Sequence, residues 1–326
     1  MKNLRHILVA IKNPRSRSQP ALRKAAQLAQ GSGARLTLFH ALDVPLYLDA
    51  YNLEGQSLQQ AERQWRTRVL AQLEKLAAPL RAAGLTVGTD SDWDFPAYEA
   101  VIRRAHRAGA DLIVAERHAS RHLLPALLRF NDWELLRRSP VPVLLIKHGG
   151  SWHRPAVLAT IDPTHGYAKP ARLDAAIMAA ASLVAGSLAG RLHIAHAWPG
   201  TPLAAVRLSA VAPQMSMLLE QRARRATQAA FKAEIEHAGL GAAKRHFIEG
   251  NPAEVIPRLA RRQRAGIVVM GAISRSGLKR LVLGNVAEQV LDALRCDVLV
   301  VKPASFKARV RPRGRGVQLI PTPPYI

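Results

Sequence analysis

One series of short apolar runs and intervening helical stretches occurs twice along this chain, in the same order. Val143-Leu144-Leu145-Ile146-Lys147 faces Val298-Leu299-Val300-Val301-Lys302 at an offset of 302 − 147 = 155, and the same offset sets Asp111-Leu112-Ile113-Val114 against Gly266-Ile267-Val268-Val269. A repeat of this length is a duplicated domain rather than a solenoid unit, whose period is about 20–50 residues. In the first half the strand-like runs are 6–11, 35–39, 85–87, 111–115 and 141–146, with helical patterns at 19–30, 56–83, 96–108 and 132–138. The second half has strand-like runs at 156–161, 191–196, 244–248, 267–270 and 298–301, and helices at 168–185, 213–238, 252–262 and 286–294. Mostly apolar strands alternating with helices of about ten residues or more are the pattern of a parallel sheet covered on both faces. The predicted fold class is therefore α/β, two tandem doubly wound, Rossmann-like domains. Their expected extents are 1–148 and 154–303, joined by His148-Gly149-Gly150-Ser151, with 304–326 a basic tail lacking structure of its own.

Composition narrows the chemistry. The chain has 326 residues, 48% of them hydrophobic, too many for a mostly disordered polymer. A single cysteine, Cys296, excludes an internal disulfide and a multi-cysteine zinc site, and it reads as a small buried hydrophobe. The longest uncharged apolar run, 175–190, falls short of the roughly 20 residues that cross a bilayer and predicts a buried helix. The apolar run at 7–11 is too short for a secretory signal, so a cytoplasmic location is expected. The net charge is +24, with 22 basic and 13 acidic residues in 1–150 and 25 and 10 in 151–326. The tail carries Lys307, Arg309, Arg311, Arg313 and Arg315 and no acid. Such an excess attracts polyanions, nucleic acid among them, without specifying one, and it equally suits a generally Arg-rich composition.

The most informative stretch runs from Gly271 to Glu288, at the end of the second domain's fourth strand. In a parallel α/β sheet ligands bind outside the C-terminal strand ends, where small residues let phosphate reach backbone N–H groups. Gly284-Asn285 then opens a helix whose N-terminus favours an anion, and Ser274 and Ser276 add hydroxyls. The plainer alternative is a turn at Gly271 and a helix cap at Asn285. Asp162, closing the domain's first strand, supplies a carboxylate at a second strand end, suited to a ribose hydroxyl or an adenine amino group; alone it is as well explained as a turn residue.

Strand 156–161 with Asp162, Gly250-Asn251-Pro252-Ala253-Glu254-Val255-Ile256, the 271–288 stretch, and Cys296 through Pro303 together resemble the universal stress protein family. The similarity spans about residues 4–303 and is to its tandem-domain, E-type members, the stretch from Asn131 to Pro140 included. The resemblance implies stress-response regulation by ATP, with or without Mg, on a Gly-x2-Gly-x9-Gly-Ser/Thr loop. Here Gly271 and Gly284 match its first and third glycines, Ser274 replaces the second, and Asn285 replaces the Ser/Thr. Asp162, Ala197, Gly277 and Val286 complete the implied site. In the first half Lys12 stands where the Asp would be, and Glu116, His122 and Arg129 face Gly271, Gly277 and Gly284, so that half is expected to be a non-binding structural partner. The resemblance also implies pairing through the last strand, 298–301, giving a monomeric pseudo-dimer or a homodimer.

No His-Glu-x-x-His, Walker loop or nucleophile elbow occurs, and nothing requires turnover, although a slow ATPase stays open. His118 and His122 form a two-residue metal pattern that more often lies on a solvated face, and His193 and His196 fall on opposite sides of one strand. Met215, Met217, Leu218 and Leu219, like Trp65, Leu70 and Leu73 in the first half, read as core positions or as the lining of an apolar ligand cavity. The expected function is a regulatory switch that binds an adenine nucleotide in the second domain. The alternatives are a scaffold for a polyanion or for a hydrophobic ligand.

Overall fold

In the first half, β1 (His6–Ala10), β2 (Arg35–Leu42), β4 (Val87–Trp93), β5 (Leu112–Glu116) and β6 (Val143–Ile146) alternate with α1 (Pro20–Ser32), α2 (Leu58–Ala82), α3 (Ala97–Arg107) and α4 (Phe130–Arg138), and a short β3 (Leu46–Leu48) follows β2. The computed structural model describes residues 3–42, 46–48, 58–117, 130–164, 173–200, 206, 209–271, 285–307, 310–314, 316 and 319–321. The strands pair in parallel in the order β4-β2-β1-β5-β6. Ile7, Leu8, Val9, Ile113 and Val114 are fully buried, as expected for strands covered on both faces. Helix α1 begins with Pro20, whose missing N–H costs nothing in a first turn, and stops at Gly33, where φ is 72° and the N–H reaches Ala29 O at 2.8 Å.

The second half repeats the plan with β7 (Ala156–Thr160), α5 (Leu173–Ser187), β8 (Arg191–Trp198), α6 (Pro213–His237), β9 (Lys244–Glu249), α7 (Pro252–Arg262), β10 (Ala265–Gly271), α8 (Asn285–Ala293) and β11 (Asp297–Val301). Its strands run in parallel in the order β11-β10-β7-β8-β9. The duplication persists in the pairing: Ile113 lies opposite Val143 in one copy and Val268 opposite Val298 in the other, both displaced by 155. The chain thus has an α/β fold of two doubly wound parallel-sheet domains. They cluster as two compact units, one of residues 152–305 and the other of 3–151 with 306–326.

Three local expectations differ from the structure. The third predicted strand of the first half, 85–87, runs on as β4 through Thr89-Asp90-Ser91-Asp92 to Trp93. As the edge of its sheet, β4 tolerates these polar residues, and its acids are matched by Arg66 and Arg104 on Asp90 (2.8 and 3.0 Å) and Arg107 on Asp92 (3.3 Å). Met215, Met217 and Leu218 are 50%, 61% and 60% exposed rather than core, because α6 turns Phe231 and Ile235 inward instead. Cys296 is half-buried.

The described part of the predicted tail also has structure. Buried Arg103 in α3 binds Asp94 and, at 3.0 Å, Glu99, and donates from Nη1 to Arg311 O at 3.2 Å. The Gly316 N–H donates to Asp94 Oδ1 at 3.3 Å, and β12 (Leu319–Pro321) pairs in parallel with β3. A side chain on Gly314 would meet Asp94 Oδ2 at 2.6 Å, so glycine lets this backbone lie directly on the buried ion cluster. Composition and periodicity give no sign of these contacts, since the partners lie more than 200 positions away.

Candidate functional site at the strand ends of the C-terminal unit

In the C-terminal unit the chain winds outward from β7 through β8 to β9, then crosses back to β10 and β11. The strand order therefore reverses between β7 and β10, and the crevice above their C-terminal ends is where open α/β sheets take ligands. The register Ala159↔Val269 brings Asp162 and Gly271 to the same end of these adjacent strands, and β8 carries Ala197 to that end on the other side of β7.

Asp162 is 5% exposed. Its backbone N–H donates to Asp174 Oδ2 at 3.1 Å, in the first turn of α5, and its Oδ1 accepts from Thr164 Oγ1 at 3.1 Å. Its Oδ2 is buried and has no hydrogen-bond partner among the described residues. The preceding residue is pinned on both polar groups: Ile161 N–H donates to Ala195 O at 3.0 Å, and His196 Nδ1 lies 3.0 Å from Ile161 O. A buried carboxylate oxygen without a donor costs on the order of 1–3 kcal/mol, more when charged, so a rigidly held example at a ligand crevice is a candidate contact point.

Gly271 has a packing reason of its own. A Cβ there would meet Leu173 Cδ2 at 2.6 Å and Ile177 Cδ1 at 3.2 Å, so the glycine lets the end of β10 approach α5. Ala197 is buried, opposite Ile248 in the β8–β9 ladder. Asn285 is the first residue of α8 and Val286 is half-buried behind it. Ser274, Ser276, Gly277, Gly284 and the Asn285 side chain lie outside what is described, as do His118, His122 and Arg129. Gly250 holds φ at 131° and passes the chain to Asn251, whose Oδ1 caps α7 through Ala253 N–H at 3.0 Å.

The sequence pattern does not single out Asp174 or His196 as partners of the Asp162 turn, although the duplication contains the signal for the histidine. His40 Nδ1 lies 2.7 Å from Ile11 O in the first unit, the same contact as His196 to Ile161. The first unit keeps this frame but changes the chemistry: exposed Lys12 replaces Asp162, Glu116 closes β5 where Gly271 closes β10, and buried Lys24 occupies the α1 position that Asp174 holds in α5. His193, one of the two histidines read as facing opposite sides of β8, stacks on His246 of β9, with Nδ1 3.0 Å from Nε2 and ring centroids 5.2 Å apart. Burial and the neighbouring charges of Lys244 and Arg191 lower the pKa of His193, while burial, His193, Lys244 and Arg262 push that of His246 down to about 4. Burial likewise lowers the Lys302 ammonium, just past β11, to about 7. Among the described residues no group of three or more His, Cys, Asp or Glu is placed to hold a metal ion, and no helix is long and apolar enough to cross a membrane.

A model of the Universal stress protein family matches residues 3–147 and 165–302. Universal stress protein E of Escherichia coli K12 is 30% identical over 320 residues, covering 95% of this chain and 98% of that protein, and the Photorhabdus laumondii protein of the same name is 27% identical over 321 residues. A crystal structure of a functionally unknown protein from Pseudomonas aeruginosa PAO1 superposes with a TM-score of 0.71 at 28% identity, covering 94% of this chain and 95% of that one. A universal stress protein from Archaeoglobus fulgidus shares the fold, with a TM-score of 0.60 at 15% identity over 91% of this chain and 97% of that one. With two family matches, a full-length relative and a doubled domain plan in agreement, the chain belongs to the universal stress protein family and is similar to its tandem-domain E type.

Proposed function

We propose that the C-terminal unit binds an adenine nucleotide, ATP with or without Mg, in the crevice between β7 and β10, and that the protein acts as a regulatory binding switch rather than a catalyst. The observation that carries this reading is Asp162 Oδ2, a buried acceptor held at the reversal of strand order with no donor among the described residues. A ribose hydroxyl or an exocyclic amino group is a donor of the kind it lacks. Asn285 at the start of α8 adds a helix N-terminus to which a phosphate would be attracted. Occupancy would shift the balance between two states of the protein and so change a surface read by a partner or by another copy of the chain. In the first unit Lys12 and Glu116 replace the acid and the glycine, which suits a structural partner without a nucleotide.

Calorimetric titration with Mg-ATP, preceded by mass spectrometry of any small molecule that co-purifies, tests the proposal. Binding by the wild type that is lost in both Asp162→Ala and Gly284→Arg is the expected result. Absence of binding and of any bound nucleotide would overturn it. A polyanion-binding scaffold is favoured by one observation, the exposure of Lys307, Arg311 and Arg313 on the first unit. It predicts retention of single-stranded nucleic acid that weakens steeply with salt and survives Asp162→Ala.

A further inference from the structure

The C-terminal unit has a second concave region, away from the strand ends discussed above. A groove of about 570 Å3 lies between the C-terminal half of α6 and β9, the edge strand of this unit's sheet. That size falls among small-molecule sites, which run from about 300 to 1,000 Å3. Its floor is aromatic: Phe231 is buried, Phe247 half-buried, and their ring centroids are 6.1 Å apart. Its rim is cationic, formed by Arg225, Lys232 and Arg245.

These cations outnumber the acid available to them. Lys232 and Arg245 share Glu236, at 3.9 and 3.7 Å, and Arg245 also donates to Gly241 O at 3.2 Å. Arg225 is exposed, and no ion pair to it is found among the described residues. Glu249, at the end of β9, is approached by Arg224 at 3.9 Å, whose guanidinium also sits 5.8 Å from the centre of the Trp198 ring.

The duplicated unit supplies an internal control. The corresponding edge, between α2 and β4, carries Asp90 and Asp92 on the strand, and its ion pairs are closer than those to Glu236: Arg66 and Arg104 on Asp90 at 2.8 and 3.0 Å, Arg107 on Asp92 at 3.3 Å, and Arg81 on Glu74 at 2.6 Å. That edge also has an aromatic pair, Trp65 and Trp93 with centroids 5.4 Å apart, so the two edges differ in the charge of the strand: Asp90 and Asp92 on β4, against Lys244 and Arg245 with Glu249 on β9.

We propose that the α6/β9 groove is a binding site for a small aromatic anion, its ring lying on Phe247 with Phe231 behind it and its carboxylate or phosphate held by Arg225, Lys232 and Arg245. Aromatic rings pair favourably at centroid separations of 4.5–7 Å, and an anion on a partly shielded cationic rim gains more than it would in open water. The site is independent of Asp162 and does not rest on the nucleotide proposal.

The test is a fluorescence titration of the full chain with 1-anilinonaphthalene-8-sulfonate, followed by displacement with 2-naphthyl phosphate, 2-naphthoate or uncharged 2-naphthol. Expected are saturable binding to one site, displacement by either naphthyl anion but not by 2-naphthol, and weakening as salt rises. Arg225→Gln together with Arg245→Gln should raise Kd about 25-fold, at about fivefold per charge removed. Glu236→Gln, which frees both shared cations, should lower Kd several-fold, a gain that misfolding cannot imitate. Asp162→Ala should leave dye binding unchanged. Displacement by both naphthyl anions points to a general anion rim, and by one alone to that head group. Binding that persists in the double variant, that fails to tighten in Glu236→Gln, or that disappears in Met215→Gln/Met217→Gln at the exposed start of α6 would overturn the proposal.

Discussion

Acid should weaken the C-terminal unit through His246. The ring is 8% exposed and stacked on His193, with the charges of Lys244, Arg191 and Arg262 around the pair. Its folded-state pKa of about 4 lies below the ordinary 6.5, so between these values the unfolded chain binds a proton that the folded chain refuses. The stability this neutral ring supports is complete above pH 6.5 and is lost as pH falls from 6.5 towards 4. A displacement of about 2.5 units corresponds to about 3 kcal/mol once both states are protonated, of which about 2 kcal/mol is already lost at pH 5. His193, lowered in the same direction, deepens the loss. Histidine-selective NMR titration should show one ring still neutral at pH 5, and urea unfolding at pH 7.5 and 5.0 should show a smaller pH dependence for His246→Gln, by about 2 kcal/mol. Equal pH dependence in variant and wild type, or a ring that titrates near 6.5, would refute the argument.

Three further outcomes are expected. Gly271→Ala should destabilise the C-terminal unit by about 1–3 kcal/mol in thermal or denaturant unfolding, because the new methyl drives into Leu173, and Leu173→Val should restore part of the loss. Trp152→Phe removes the 3.0 Å hydrogen bond from the indole N–H to the buried carboxylate of Asp297 and should cost about 1–3 kcal/mol, with no effect on dye binding at the α6/β9 groove. Removing residues 306–326 strips Arg311 O from Arg103 and the Gly316 N–H from Asp94; amide exchange in α3 and at the end of β4 should speed up, by the equivalent of about 2 kcal/mol or more, and unchanged protection would show that these contacts hold nothing.

The duplicated strand–helix series, the parallel arrangement and the position of Asp162 at a strand end are all legible in the sequence, because they follow from hydrophobic period and local turn chemistry. Residues 252–262 read as a helix and form one with the same limits, since Asn251, Pro252 and the apolar stripe through Val255, Ile256 and Leu259 all act within one element. Strand β4 is less legible because its acids are compatible with a strand only at an edge facing Arg66, Arg104 and Arg107, and edge position is a property of the sheet order. The exposure of Met215, Met217 and Leu218 is hidden for a related reason: an apolar residue identifies a helix face, while the neighbour that covers it, or fails to, belongs to the packed unit.

What the sequence determines by itself is therefore what neighbours along the chain decide: two α/β copies, their strand ends, their helix caps, and the replacement of Asp162 by Lys12 in the first copy. What only the tertiary structure decides is set between residues far apart in the chain. Burial leaves Asp162 Oδ2 without a described donor, brings His193 and His246 to 3.0 Å across a ladder, and lays Arg311 and Gly316 on a buried Arg103–Asp94 cluster. Desolvation and pairing depend on distance in space, and a linear spacing rule carries no information about partners separated by 53 or 208 positions until the sheets are assembled.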